Sequence, residues 1–103
     1  MELLDSAAQG DKAVTKREEI LDEAVRIVTG ERENQYGHPE YSFSLIAEFW
    51  SSYLGGVPIT DWDVANMMAL LKIARIKGGE AKKDNWVDLA GYAACGGEVQ
   101  MKE

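Results

Sequence analysis

Between residues 64 and 76 only Asn66, Lys72 and Arg75 are polar. A helix that is apolar on nearly all sides belongs in the middle of something, because its surface must be covered from more than one direction. The chain is therefore expected to be all-α: a compact bundle of four main helices in which this segment is the most buried. With 103 residues, three partner helices leave part of such a segment bare. Assembly as a homo-oligomer follows as an expectation, with Trp62, Trp86 and the N-terminal arm as candidate interface.

The other helices announce themselves by end signals and apolar stripes. Thr15 and Glu18 match a capping box, and Ile20, Ala24, Ile27 and Val28 then recur at helical spacing, so a first helix is read over 15–29 with Gly30 as its stop. Pro39 suits the first position of a second helix, read over 39–54, with Phe43, Ile46, Ala47, Trp50 and Leu54 facing inward. Gly55-Gly56 ends it. The central helix is read over 60–77, opened by Thr60 and Asp63 and stopped by Gly78-Gly79. The fourth is read over 84–95, with Asp84 as cap and Gly96-Gly97 as terminator. Residues 1–14 are weakly patterned and are taken as an N-terminal arm, leaving 15–103 as a single helical domain. The alternation of polar and apolar residues is too short to support a sheet.

Composition narrows the class of partner. Eleven Lys+Arg against 18 Asp+Glu give a net charge of −7, which opposes binding to duplex nucleic acid, where phosphate neutralisation dominates affinity, and to anionic membranes. One cysteine excludes an intramolecular disulfide and a Cys-rich zinc site and suits a reducing cytoplasm. No apolar run reaches the length of a membrane span, and the acidic N-terminus lacks the basic region of a secretory signal.

Candidate chemistry gathers on three segments. Lys72 and Arg75, a turn apart on the central helix, suit phosphate or carboxylate binding, or structural pairing with Asp84, Asp88 or Glu48. Asp84, Asn85, Asp88 and Tyr92 share one side of the fourth helix; carboxylates at i and i+4 can share a hard cation, or cap the helix and pair with Arg75. In Tyr36-Gly37-His38-Pro39, Tyr36 could stack on a base and His38 reach a phosphate, or the segment is a helix-entry turn. No Ser or Cys is paired with His38 for a nucleophilic triad, and Cys95 reads as a small core residue. Among the tryptophans, Trp50 reads as core and Trp62 and Trp86 as interface or stacking residues.

The pieces Ile20-Leu21-Asp22-Glu23-Ala24, Tyr36-Gly37-His38-Pro39, Ile46-Ala47-Glu48-Phe49-Trp50, Asp63-Val64-Ala65, Leu71-Lys72-Ile73-Ala74-Arg75 and the run from Lys83 to Ala94 resemble a family of small, uncharacterised helical proteins of bacteriophages and prophages, over about three-quarters of the chain. More distantly, the chain resembles the MazG-like all-α nucleoside triphosphate pyrophosphatases, which hold Mg²⁺ between an E-x-x-E helix and an E-x-x-D helix. Asn85-Trp86-Val87-Asp88 is similar to the second motif with Asn in place of the first Glu; for the first, helix two offers Glu48 without a second acid at three-residue spacing.

The resemblance to the phage family carries no assigned activity. The basic pair, the aromatic loop, the incomplete acidic site and the phage-like context together give the expectation of a small phage-type protein of the bacterial cytoplasm that binds a nucleotide, or a nucleotide-derived immune signal, and sequesters it without cleaving it. Its ligand-binding set is Tyr36, His38, Lys72, Arg75, Asp84, Asp88 and Tyr92, with no cofactor and no catalytic residue. The alternative is a MazG-like Mg²⁺-dependent (d)NTP pyrophosphohydrolase holding its metal on Glu48, Asp84 and Asp88. A second alternative is a helical protein-interaction module.

Overall fold

In a computed structural model, residues 13–31, 35 and 37–102 are described. Tyr36 and all of the expected N-terminal arm except Ala13 and Val14 lie outside them. The described residues form four helices, α1 (Lys16–Arg26), α2 (Pro39–Tyr53), α3 (Asp61–Gly78) and α4 (Lys83–Met101), with a π-helical turn, Ile27–Glu31, continuing α1. No strand occurs among them. α4 is the organising element: α1, α2 and α3 all pack on it, and α2 also packs on α3.

Both expected helix starts with a Thr are capped. The Thr15 hydroxyl accepts from the Glu18 amide at 3.2 Å, and the Glu18 carboxylate accepts from the Thr15 amide at 2.9 Å. Thr60 and Asp63 repeat the box at 3.0 and 2.9 Å, so Asp63 satisfies an orphan amide as well as complementing the helix dipole. Pro39 stands at the start of α2, where its missing donor is not needed. Just before it Gly37 adopts φ 81°, a left-handed conformation open to glycine at no steric cost.

Four local expectations are corrected. Gly30 does not stop α1; it lies inside the π-helical turn, where the Thr29 hydroxyl donates to the Val25 carbonyl at 2.6 Å. Asp84 does not cap α4: the cap position is Lys82, without a side-chain bond, and Asp84 sits in the first turn. Gly96-Gly97 does not end α4, which continues to Met101. Gly96 serves packing instead, because a Cβ on it would lie 2.7 Å from the Ala65 Cβ of α3, so the two helices touch backbone to methyl.

The fourth concerns α3. Its inner side is covered: Val64 and Ala65 are buried and join Phe43, Ala47 and Val99 in the core, with Ile46, Trp50, Met68, Tyr92 and Cys95 packed around them. Its outer side is not. Leu70 is 63% exposed, Ile73 47% and Leu71 41%, so Leu71 is not a core residue and α3 is not surrounded. Among the described elements only α2 and α4 pack on α3, and two neighbours cover one side of a cylinder.

Candidate functional site

Between α1, α2 and the first half of α4 the helices diverge and leave a cavity of about 190 Å³. Its floor is apolar: Phe43 and Ile46 from α2, Met68 from α3, and Val87 from α4. Ala24, Ile27 and Val28 close one wall, and the π-helical turn carries two of these. Gly91 lies opposite, where a Cβ would stand 3.1 Å from a Val28 methyl. The loop residues Gly37 and Pro39 reach the edge. The Phe43 and Tyr92 rings stack with centroids 6.4 Å apart and planes at 30°.

Polar groups are few. Ser42, Asp88 and Tyr92 reach the lining, with the Cys95 thiol beside them. The Asp88 carboxylate is held 3.0 Å from the Lys72 ammonium, and the Lys72 side chain is only 13% exposed. Lys72 is not itself among the described lining residues and meets the cavity through Asp88, and the pair keeps Asp88 from being a lone acid beside apolar surface. Such a site accepts a flat or apolar ring and offers a carboxylate acceptor and an ammonium donor side by side.

The structure therefore brings Lys72, Asp88 and Tyr92 together. It places the other candidates elsewhere. His38 precedes α2, exposed, between two lining residues, its ring 6.3 Å from that of Tyr41. Arg75 is exposed on α3 and does not line the cavity, and Asp84 is exposed one turn before Asp88. Tyr36 falls outside the described residues. Glu48 faces a separate shallow groove with Glu40, Tyr41 and Ser44 on the outer side of α2. Among the described residues no group of three or more His, Cys, Asp or Glu is placed to share a metal ion, so Glu48, Asp84 and Asp88 do not converge. Trp50 packs against the core, while Trp62 and Trp86 remain 37% and 47% exposed.

Two ion pairs clasp the ends of α4. Lys83 at its start bridges to Glu23 of α1 at 2.9 Å, and Lys102 just past its end pairs with Glu40 of α2. Hydrogen bonding to the lysines holds both carboxyls below their ordinary range, and the carboxylates hold both ammonium groups above theirs. The first clasp fixes α1 against α4 on the cavity side of the molecule.

Sequence reasoning did not separate Ile27, Val28 and Gly91 from ordinary core positions. Nothing in a stripe of apolar residues says whether the facing helices meet or part. The one usable signal was the thin surface of α4 around Gly91, Ala93 and Ala94.

What these features define is a small helical domain with a largely apolar pocket and one ion pair at its rim. The chain belongs to the family described as Domain of unknown function (DUF6378), which it matches over residues 19–100, a range that takes in every described lining residue of the cavity. It is 51% identical over 78 residues to the Gene 55 protein of Mycobacterium phage D29, covering 76% of this chain and 51% of that protein. It is 42% identical over 84 residues to the Gene 55 protein of Mycobacterium phage L5, covering 82% of this chain and 54% of that protein. The chain spans about half the length of the curated relatives it matches. No solved structure matches it. No helix among the described residues is long and apolar enough to cross a membrane.

Proposed function

We propose that the chain is a nucleotide-binding helical module that captures a nucleotide, or a nucleotide-derived signal, without cleaving it. The observation that carries this is the Lys72–Asp88 pair at the rim of an otherwise apolar cavity. About 190 Å³ is below the roughly 300–1,000 Å³ of pockets that enclose a whole drug-sized ligand. It suits a ring, with the remainder of the molecule outside. The base enters beside Phe43 and Tyr92, Asp88 accepts a hydrogen bond from its amino edge, and Lys72 turns its ammonium to the phosphates. Arg75, a turn further along α3, adds positive charge for the phosphates outside the cavity. The module works as a homo-oligomer in the cytoplasm of the infected bacterium, in keeping with relatives that are phage proteins.

MazG-like hydrolysis would need Glu48 beside Asp84 and Asp88, and Glu48 faces another groove. The deciding experiment incubates the protein with a mixed pool of ribo- and deoxyribonucleotides and Mg²⁺, removes unbound material, heats, and weighs the released molecules. Intact nucleotide is expected. Nucleoside monophosphate and pyrophosphate would replace capture by catalysis, and an empty release would end the nucleotide reading. Lys72→Met should lose the release while keeping the helical circular-dichroism spectrum.

A further inference from the structure

We propose that the outer face of α3 is the seat of a second copy of this chain, packed antiparallel about a two-fold axis near Leu70. The inference deepens the homo-oligomer reading above by naming its interface. Trp62, Asn66, Leu70, Ile73 and Lys77 follow one another at spacings of four, four, three and four, and all are exposed. They form one ridge, with Met67 and Leu71 beside it, 39% and 41% exposed. The ridge is opposite the side that Val64, Ala65 and Met68 turn toward α2 and α4. Trp62, Met67, Leu70, Leu71 and Ile73 are each between 37% and 63% exposed, a run of apolar side chains suited to the core of an interface to which each partner contributes about 800 Å².

Charge selects the occupant. The chain carries −7 overall, so two copies repel unless they meet where acids are few. α2 carries Glu40 and Glu48 and no base, and α4 carries three acids and one base. α3 carries Lys72, Arg75 and Lys77 against Asp61 and Asp63, and Lys72 is already occupied by Asp88 within the chain. Of the remaining charges, Asp63 in the first turn and Lys77 in the last lie toward the ridge, Asp63 also accepting from the Thr60 amide, while Asp61 and Arg75 fall on the other side of the helix. A two-fold axis across the middle reverses the helix, so each acidic end meets the partner's basic end. The contact is self-complementary, as an isologous interface requires. Asn66 is the one polar residue inside the ridge, and a lone amide in an apolar seam selects register, because only one alignment satisfies it.

A second apolar ridge, Tyr41, Leu45, Phe49 and Tyr53 on α2, is also exposed. It lies beside Glu48 with no basic residue on its helix, so a second copy there would set acid against acid.

The test is the solution mass of the chain and of two charge insertions. Sedimentation of the unmodified protein at micromolar concentration should give twice 11.4 kDa. Leu70→Glu should weaken the dimer by about 100-fold with the helical spectrum retained, and Phe49→Glu should leave it intact. A monomeric unmodified chain overturns the interface and the homo-oligomer reading together. A dimer that survives Leu70→Glu overturns the interface alone, and one lost only with Phe49→Glu moves it to α2. Direction is read by disulfide trapping. Leu70→Cys, next to the axis, should form a covalent dimer on oxidation and Lys77→Cys should not. Trapping at both positions means parallel helices and overturns the two-fold. Retention of nucleotide by Leu70→Glu leaves the pocket reading standing on its own.

Discussion

Gly96 and Gly91 lie on the same helix, yet they face opposite kinds of neighbour. At Gly96 the backbone of α4 is pressed onto the Ala65 methyl, and a Cβ would have 2.7 Å of room. Val64, Ala65 and Val99 are buried around it. At Gly91 the neighbour is the end of the Val28 side chain, 3.1 Å from a Cβ, and a cavity opens alongside. The second half of α4 is a seam and the first half is a wall. The difference arises in the partner. α3 is a regular helix with small residues where it crosses α4, whereas α1 meets α4 through the Val28 side chain carried on its π-helical turn.

The harshest way to break this contrast is Phe43→Ala, since Phe43 is buried in the core and also lines the cavity. It should cost about 3–5 kcal/mol in denaturant unfolding, a large share of the roughly 5–15 kcal/mol a domain holds. A loss below 1 kcal/mol would mean that the cavity end contributes little to the fold. Next comes Gly96→Ala. Overpacking costs about 1–3 kcal/mol, offset by the roughly 1 kcal/mol alanine gains over glycine in a helix, so a net loss near 1 kcal/mol is expected from urea midpoints. Gly91→Ala should be close to neutral, because a terminal methyl can yield where a Cβ cannot. It should instead reduce the nucleotide retained from the pool, since the added methyl narrows the cavity wall. Equal stability losses at the two glycines would erase the distinction between seam and wall.

How far the sequence foretold this depends on whether a residue's effect is local. The capping boxes at Thr15 and Thr60 and the Pro39 start were legible, because each acts within one helical turn. The inner face of α2 was legible through Phe43, Ile46, Ala47 and Trp50, although Leu54 proved 49% exposed. Gly96-Gly97 misled because glycine serves two ends, as a helix stop and as a point of close approach, and only the facing Ala65 decides between them. The apolar run of α3 pointed to burial on all sides, which a single chain with two packed neighbours cannot supply. At the candidate site, Lys72 and Arg75 were indistinguishable in sequence. The turn of the helix gives Lys72 to Asp88 and leaves Arg75 exposed. Asp88 and Tyr92 were legible as one face; the cavity they line was not.

The smallest effect belongs to the clasps at the two ends of α4, and it separates seam from wall by pH. Glu23 and Glu40 titrate below the ordinary 4.5 because Lys83 and Lys102 hydrogen-bond their charged forms. A carboxyl with a lowered folded value stabilises the fold above its unfolded value, and that contribution disappears as the pH falls through the folded one. The lysines, raised above 10.5, act in the other direction: their contribution is complete below 10.5 and is lost as the pH climbs through the raised value. Both clasps are therefore at full strength across the neutral range and weaken below 4.5. Both are solvated, so salt screens them. Glu23→Gln should lower the melting temperature slightly at neutral pH and low salt, with the deficit vanishing in acid, and should speed amide exchange in α1 beside the cavity. Glu40→Gln should show the same acid-sensitive deficit while leaving α1 exchange unchanged, because it clasps α4 to α2 at the seam end. A Glu23→Gln deficit that persists in acid would trace to lost packing on α1 rather than to the ion pair. Identical exchange patterns from the two variants would mean that the ends of α4 open as one unit.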